Sequence, residues 1–92
     1  MNRYVYTVWF RDLTLANFEE GYEWPACFLI EAPSPDDAHS WGDHLANSYT
    51  KRKQAELFLK SGIEEAGDAK GDLSTLPLVL VGKTATDAEL GW

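Results

Sequence analysis

The stretch "SPDDAHSWGDHLANSYTKRK", Ser34–Lys53, decides the fold. Ser34 is a good N-cap, Pro35 suits the first helical position, and Asp37 stands where a capping-box acid belongs, with Asp36 also favoured by the helix dipole. A helix therefore starts at Pro35. Ala38, Trp41, Gly42, Leu45, Ala46 and Tyr49 then recur at the spacing of one buried stripe. Gly42 costs roughly 1 kcal/mol relative to alanine in a helix, yet within the stripe it lets the backbone approach a sheet closely. Lys51, Arg52 and Lys53 fall where cations complement the helix C-terminus.

Strand signals flank this helix. "YVYTVWFR", Tyr4–Arg11, is dense in the aromatic and β-branched residues that fit a pleated surface. "CFLIEA", Cys27–Ala32, is a short apolar run ended by "PSP". Between them, "DLTLANFEEGYEWPA" lacks a clean period and reads as a long, partly buried loop or an irregular hairpin extension. Residues 54–64 carry both helical composition and the alternation of Leu57, Leu59 and Ile63, and strand is the reading taken. "EEAGDAKGDLST" reads as an exposed loop, and "LPLVLVG", Leu76–Gly82, as a strand whose Pro77 points to an edge or a strand start. Thr86 and Glu89 have capping-box spacing, with room for about one turn. The expectation is an α+β protein, β-β-α-β-β, with one long helix on a mainly antiparallel four-stranded sheet.

Length and composition narrow the options. At 92 residues the chain is expected to form a single domain, 1–92, burying about 60–65% of its unfolded surface. Hydrophobic residues at 45% and aromatics at 13% supply enough apolar material for a compact core. A single cysteine excludes an internal disulfide, a cysteine-based zinc cluster and a CxxC redox pair. No secretory leader pattern opens the chain, and no apolar run approaches the roughly 20 residues of a membrane span. A soluble protein of a reducing, cytoplasmic compartment is the expectation. The net charge of −7 repels phosphate backbones and anionic membranes, so neither nucleic acid nor membrane is an expected partner.

Candidate chemistry is sparse. Asp36, His39 and Asp43 share the polar face of the helix at i, i+3 and i+7, a spacing that suits either a divalent ion or a solvated face with side-chain pairing, and the second reading is preferred. His44 lies nearer the apolar border. "LVGKT" lacks the first glycine of a phosphate-binding loop, because position 77 is Pro77. Glu64, Glu65, Asp68 and Asp72 lack calcium-loop spacing and read as solvated. Cys27, beside Phe28, Leu29 and Ile30, reads as an inert core thiol. No motif of a hydrolase or metalloprotease is visible, and no cofactor is expected.

One functional lever remains. In the first strand Tyr4, Tyr6, Val8 and Phe10 point one way while Val5, Thr7, Trp9 and Arg11 point the other, so both sheet faces are partly apolar. One helix covers only one of them. The expected role is a small acidic module that binds another protein or a second copy of itself through this second face, with Trp9, Val5, Val79 and Val81 as interface residues. The competing covers are the segment from Asp12 to Ala26 and the tail ending in Trp92. The alternatives are a small enzyme or ligand binder with an apolar pocket, and an acidic inhibitor or antidote of a basic partner.

Overall fold

In a computed structural model that describes residues 1–16, 18–69 and 71–92, the helix α1 runs Pro35–Arg52. Ser34 is its N-cap, with Oγ accepting the Asp37 N–H at 3.2 Å. At the other end the Lys53 N–H reaches the Tyr49 carbonyl at 2.8 Å. Ala38, Gly42, Leu45, Ala46 and Tyr49 are buried as the stripe requires, whereas Trp41 at its margin is only partly buried.

Four strands form one mixed sheet in the order β3-β1-β2-β4: β1 Asn2–Asp12, β2 Glu23–Ala32, β3 Glu56–Glu65 and β4 Leu78–Leu80. β1 pairs antiparallel with both β2 and β3, whereas β4 lies parallel to β2. The class is therefore α+β, with one short parallel pair in an otherwise antiparallel sheet. β2–α1–β3 is a split β-α-β unit: β2 and β3 run the same way, and β1 lies between them.

Alternation decides the core. Tyr4, Tyr6, Val8 and Phe10 of β1 meet Phe28, Ile30 and Ala32 of β2 beneath α1. Gly42 is the closest approach: a Cβ there would stand 2.3 Å from the Tyr6 ring. The tail forms α2, Asp87–Leu90, with a complete capping box between Thr86 and Glu89. It brings Trp92 against Phe10, Phe28 and Tyr49 at centroid distances of 5.4, 5.8 and 4.9 Å. The Trp92 Nε1–H is buried there with no acceptor among the described residues. Arg52 of α1 pairs with Asp87, tying the tail to the helix.

Several expectations change. β2 begins at Glu23 rather than Cys27, because Trp24, Pro25 and Ala26 continue the pairing with Phe10, Trp9 and Val8. β4 holds only three residues and occupies an edge. Residues 56–65 are a strand, but its pairing shifts between Trp9 and Phe10, leaving Leu59 as a bulge. That bulge breaks the alternation of Leu57, Leu59 and Ile63, and it is Phe58 and Ile63 that pack on the core.

The second sheet face acquires a different cover. Trp24 and Trp92 both pack on the helix side, so neither of these two anchors covers it, while Tyr22 lies against the Arg11 guanidinium at 5.3 Å. Phe18, in the Asp12–Ala26 segment, is 90% exposed, and Asn17 lies outside the described residues. β3 and β4 stand on opposite edges, so the connection between them, residues 66–77, must cross the whole sheet. Its described residues cross the helix-free face, where Asp68, Leu73 and Leu76 stand with Val5, Thr7 and Cys27 around one groove.

Candidate functional site

Two places gather polar side chains, and they differ in what they can do. The first is the seam between α1 and β3. Asp43 Oδ1 accepts both the Tyr6 hydroxyl at 2.7 Å and the Ser61 hydroxyl at 2.6 Å. His39 Nε2 stands 2.8 Å from Ser61 Oγ and 3.7 Å from Asp43 Oδ2. Burial and the Asp43 carboxylate hold the Tyr6 phenol well above its ordinary range.

These are the residue types of a nucleophile, a base and an orienting acid, but the geometry is wrong for that use. In an acyl-transfer triad the acid holds the far imidazole nitrogen and leaves the near one free to take the serine proton. Here Ser61 and Asp43 both crowd Nε2. Ser61 has one proton, which goes to the carboxylate, so Nε2–H is assigned as the donor to Ser61 Oγ. The cluster is a hydrogen-bonded lock between helix and sheet. It brings His39 and Asp43 together as their spacing suggests, and leaves Asp36 exposed at the helix start. Among the described residues no three His, Cys, Asp or Glu side chains converge as metal ligands would. Tyr6 and Ser61 escaped the sequence reading because their partners lie 37 and 18 residues away. His44 is exposed and stacks on Trp41 at 4.9 Å.

The second place is a groove of about 740 Å³ between the crossing connection and the sheet. Val5 and Thr7 of β1 with Cys27 of β2 form its floor. Leu73 and Leu76 of the connection form an apolar wall, and Glu64, Asp68 and Asp72 supply three carboxylates. No basic side chain lines it among the described residues; Lys70 lies outside them. The Ser74 hydroxyl and backbone N–H both donate to Asp72 Oδ1, holding that carboxyl below its ordinary range.

Cys27 corrects an expectation. It is an exposed thiol facing the groove, not a core residue. Phe28 and Ile30 turn inward, so strand alternation turns Cys27 outward whatever its neighbours are. The same rule sorts the interface candidates. Val5 and Trp9 lie on the helix-free face, Val5 in the groove and Trp9 beneath the Lys60 ammonium at 5.5 Å. Val79 and Val81 belong to the core, and it is Leu78 and Leu80 that stand exposed at 44% and 43%. The acidic residues Asp68 and Asp72, read from sequence as merely solvated, border the groove because the connection has to cross here.

Comparison with protein-family models, with curated proteins and with solved structures finds no match to this chain. The reading of function therefore rests on the two sites themselves. No helix among the described residues is long and apolar enough to cross a membrane.

Proposed function

We propose that this chain is a protein-binding module whose groove on the helix-free face takes a short extended segment of another protein, one that alternates basic and apolar residues. The observation that carries the reading is an apolar floor and wall whose charged side chains, among the described residues, are all carboxylates. An extended segment sends successive side chains to opposite sides, so one set meets Val5, Leu73 and Leu76 while the other meets Glu64, Asp68 and Asp72. The overall charge of −7 would steer a basic partner toward the protein and repel acidic ones.

The enzyme reading loses its best support in the orientation of His39, since no free imidazole lone pair faces Ser61. Self-association through this face finds less room than a bare sheet would offer, because the connection occupies part of it.

The test is fluorescence polarisation with a labelled peptide of alternating Arg or Lys and Leu or Val. Saturable binding that weakens as salt rises is expected. Replacing Glu64, Asp68 and Asp72 together by Gln, Asn and Asn should weaken it by about 3- to 150-fold, from roughly 0.2–1 kcal/mol per exposed pair. Equal binding by the triple variant, or by an acidic peptide of the same pattern, overturns the proposal.

A further inference from the structure

We propose that the outer edge of β3 pairs antiparallel with β3 of a second copy, in one register, centred on Gly62. The inference rests on the strand edge and shares one residue, Glu64, with the groove. β3 is an edge strand, and no other described segment bonds to the backbone of residues 57–64 on the side away from β1. The opposite edge is far less available, since β4 has three residues.

The strand itself limits where pairing occurs. The bulge at Leu59 disrupts the ladder, so the regular stretch runs from Lys60 to Glu65. The Ala66 N–H donates to the Arg3 carbonyl at 3.0 Å. Counting back by twos, Glu64 and Gly62 turn their backbone groups toward β1, and Ser61 and Ile63 turn theirs outward. A second antiparallel β3 therefore bonds through Ser61 and Ile63. The two-fold axis stands perpendicular to the sheet, which matches faces and places its centre on a residue.

Charge then selects the residue. A centre at Lys60 sets lysine against lysine, and a centre at Glu64 sets glutamate against glutamate. A centre at Ser61 or Ile63 leaves Lys60 opposite Gly62 or Ala66. Only a centre at Gly62 sets Lys60 of each copy opposite Glu64 of the other, giving two cross-strand ion pairs on the helix-free face. All three residues are exposed. An edge lysine ordinarily discourages pairing, but in this register it is neutralised, so the same residue rejects the neighbouring registers. Gly62, where an added Cβ meets nothing within 4 Å, lies on the axis with room for its twin. The product is a continuous sheet of eight strands with both helices on one side.

Two measurements test it. In a Cys27→Ser background, Gly62→Cys should form a self-linked dimer on mild oxidation. Lys60→Cys and Glu64→Cys should link only when mixed with each other. By analytical ultracentrifugation at rising concentration, the unmodified chain should move toward twice its 10.3 kDa. Lys60→Glu should abolish that shift, and Lys60→Glu with Glu64→Lys should restore it. Circular dichroism checks that these exposed substitutions leave the fold intact. A strictly monomeric mass, equal self-linking at 60 or 64, or a Lys60→Glu variant that still dimerises overturns the proposal. Lys60 does not line the groove, so that result leaves the peptide-binding reading untouched.

Discussion

Replacing Gly42 by alanine sets helix propensity directly against packing. In an exposed helix the change would stabilise by about 1 kcal/mol. Here the new Cβ would stand 2.3, 2.5 and 2.6 Å from Cδ1, Cε1 and Cγ of Tyr6, where carbons at contact need roughly 3.5–4.0 Å. The ring must retreat by about 1 Å, yet it is fully buried and leans on Phe28 at 5.2 Å. Retreat also pulls its hydroxyl from the Asp43 carboxylate, a charge-assisted bond worth about 1.5–3 kcal/mol. Overpacking adds about 1–3 kcal/mol. After the propensity gain, Gly42→Ala should destabilise by about 2–4 kcal/mol, read as a lower urea midpoint at unchanged slope. In a Tyr6→Val background the ring is gone, and the same substitution should become neutral or stabilising. A midpoint that rises in the wild-type background, or the same loss in both backgrounds, would refute the close-approach argument.

Three further outcomes follow from the same contacts. Ser34→Ala should lower stability by about 0.5–2 kcal/mol through loss of the cap on the Asp37 N–H, measured by denaturant unfolding. Tyr6 and Tyr49 both have phenols raised above the ordinary 10.0, so the folded state holds these protons more tightly than the unfolded chain does. The Tyr6 contribution is intact below pH 10 and is lost as pH rises beyond it, at up to about 1.4 kcal/mol per unit, with Tyr49 acting in the same direction. Tyr6→Phe should flatten that alkaline decline, and an unchanged decline would contradict it. Trp92→Phe removes an N–H buried with no acceptor among the described residues, a defect worth about 1–3 kcal/mol. It should therefore cost less than about 1 kcal/mol despite the smaller ring, whereas Trp92→Ala should cost about 2–4 kcal/mol by loss of packing.

The helix was legible because everything that defines it is local: a cap, a proline, acids in the first turn and a stripe from Ala38 to Tyr49. The role of Gly42 was legible for the same reason. What escaped the sequence depends on pairings between distant residues. The bulge at Leu59 exists only against β1, and it moves Phe58 and Ile63 onto the core in place of the apparent Leu57–Leu59–Ile63 row. Cys27 was misplaced because its apolar neighbours outweighed strand parity. The face of Val79 and Val81 could not be told from alternation alone, since alternation separates two sets without saying which is inside. The groove follows from strand order: once β3 and β4 take opposite edges, the polar connection has to cross the sheet, and its acids arrive over Val5 and Cys27.

The most direct test of the central claim is a ¹⁵N–¹H correlation titration with the alternating basic and apolar peptide. The account predicts saturable shifts concentrated at Val5, Thr7, Cys27, Glu64, Leu73 and Leu76, fading as salt is raised, with the helix-side residues Phe28 and Tyr49 unmoved. Shifts scattered over every acidic surface, or centred on α1 rather than the groove, would contradict it.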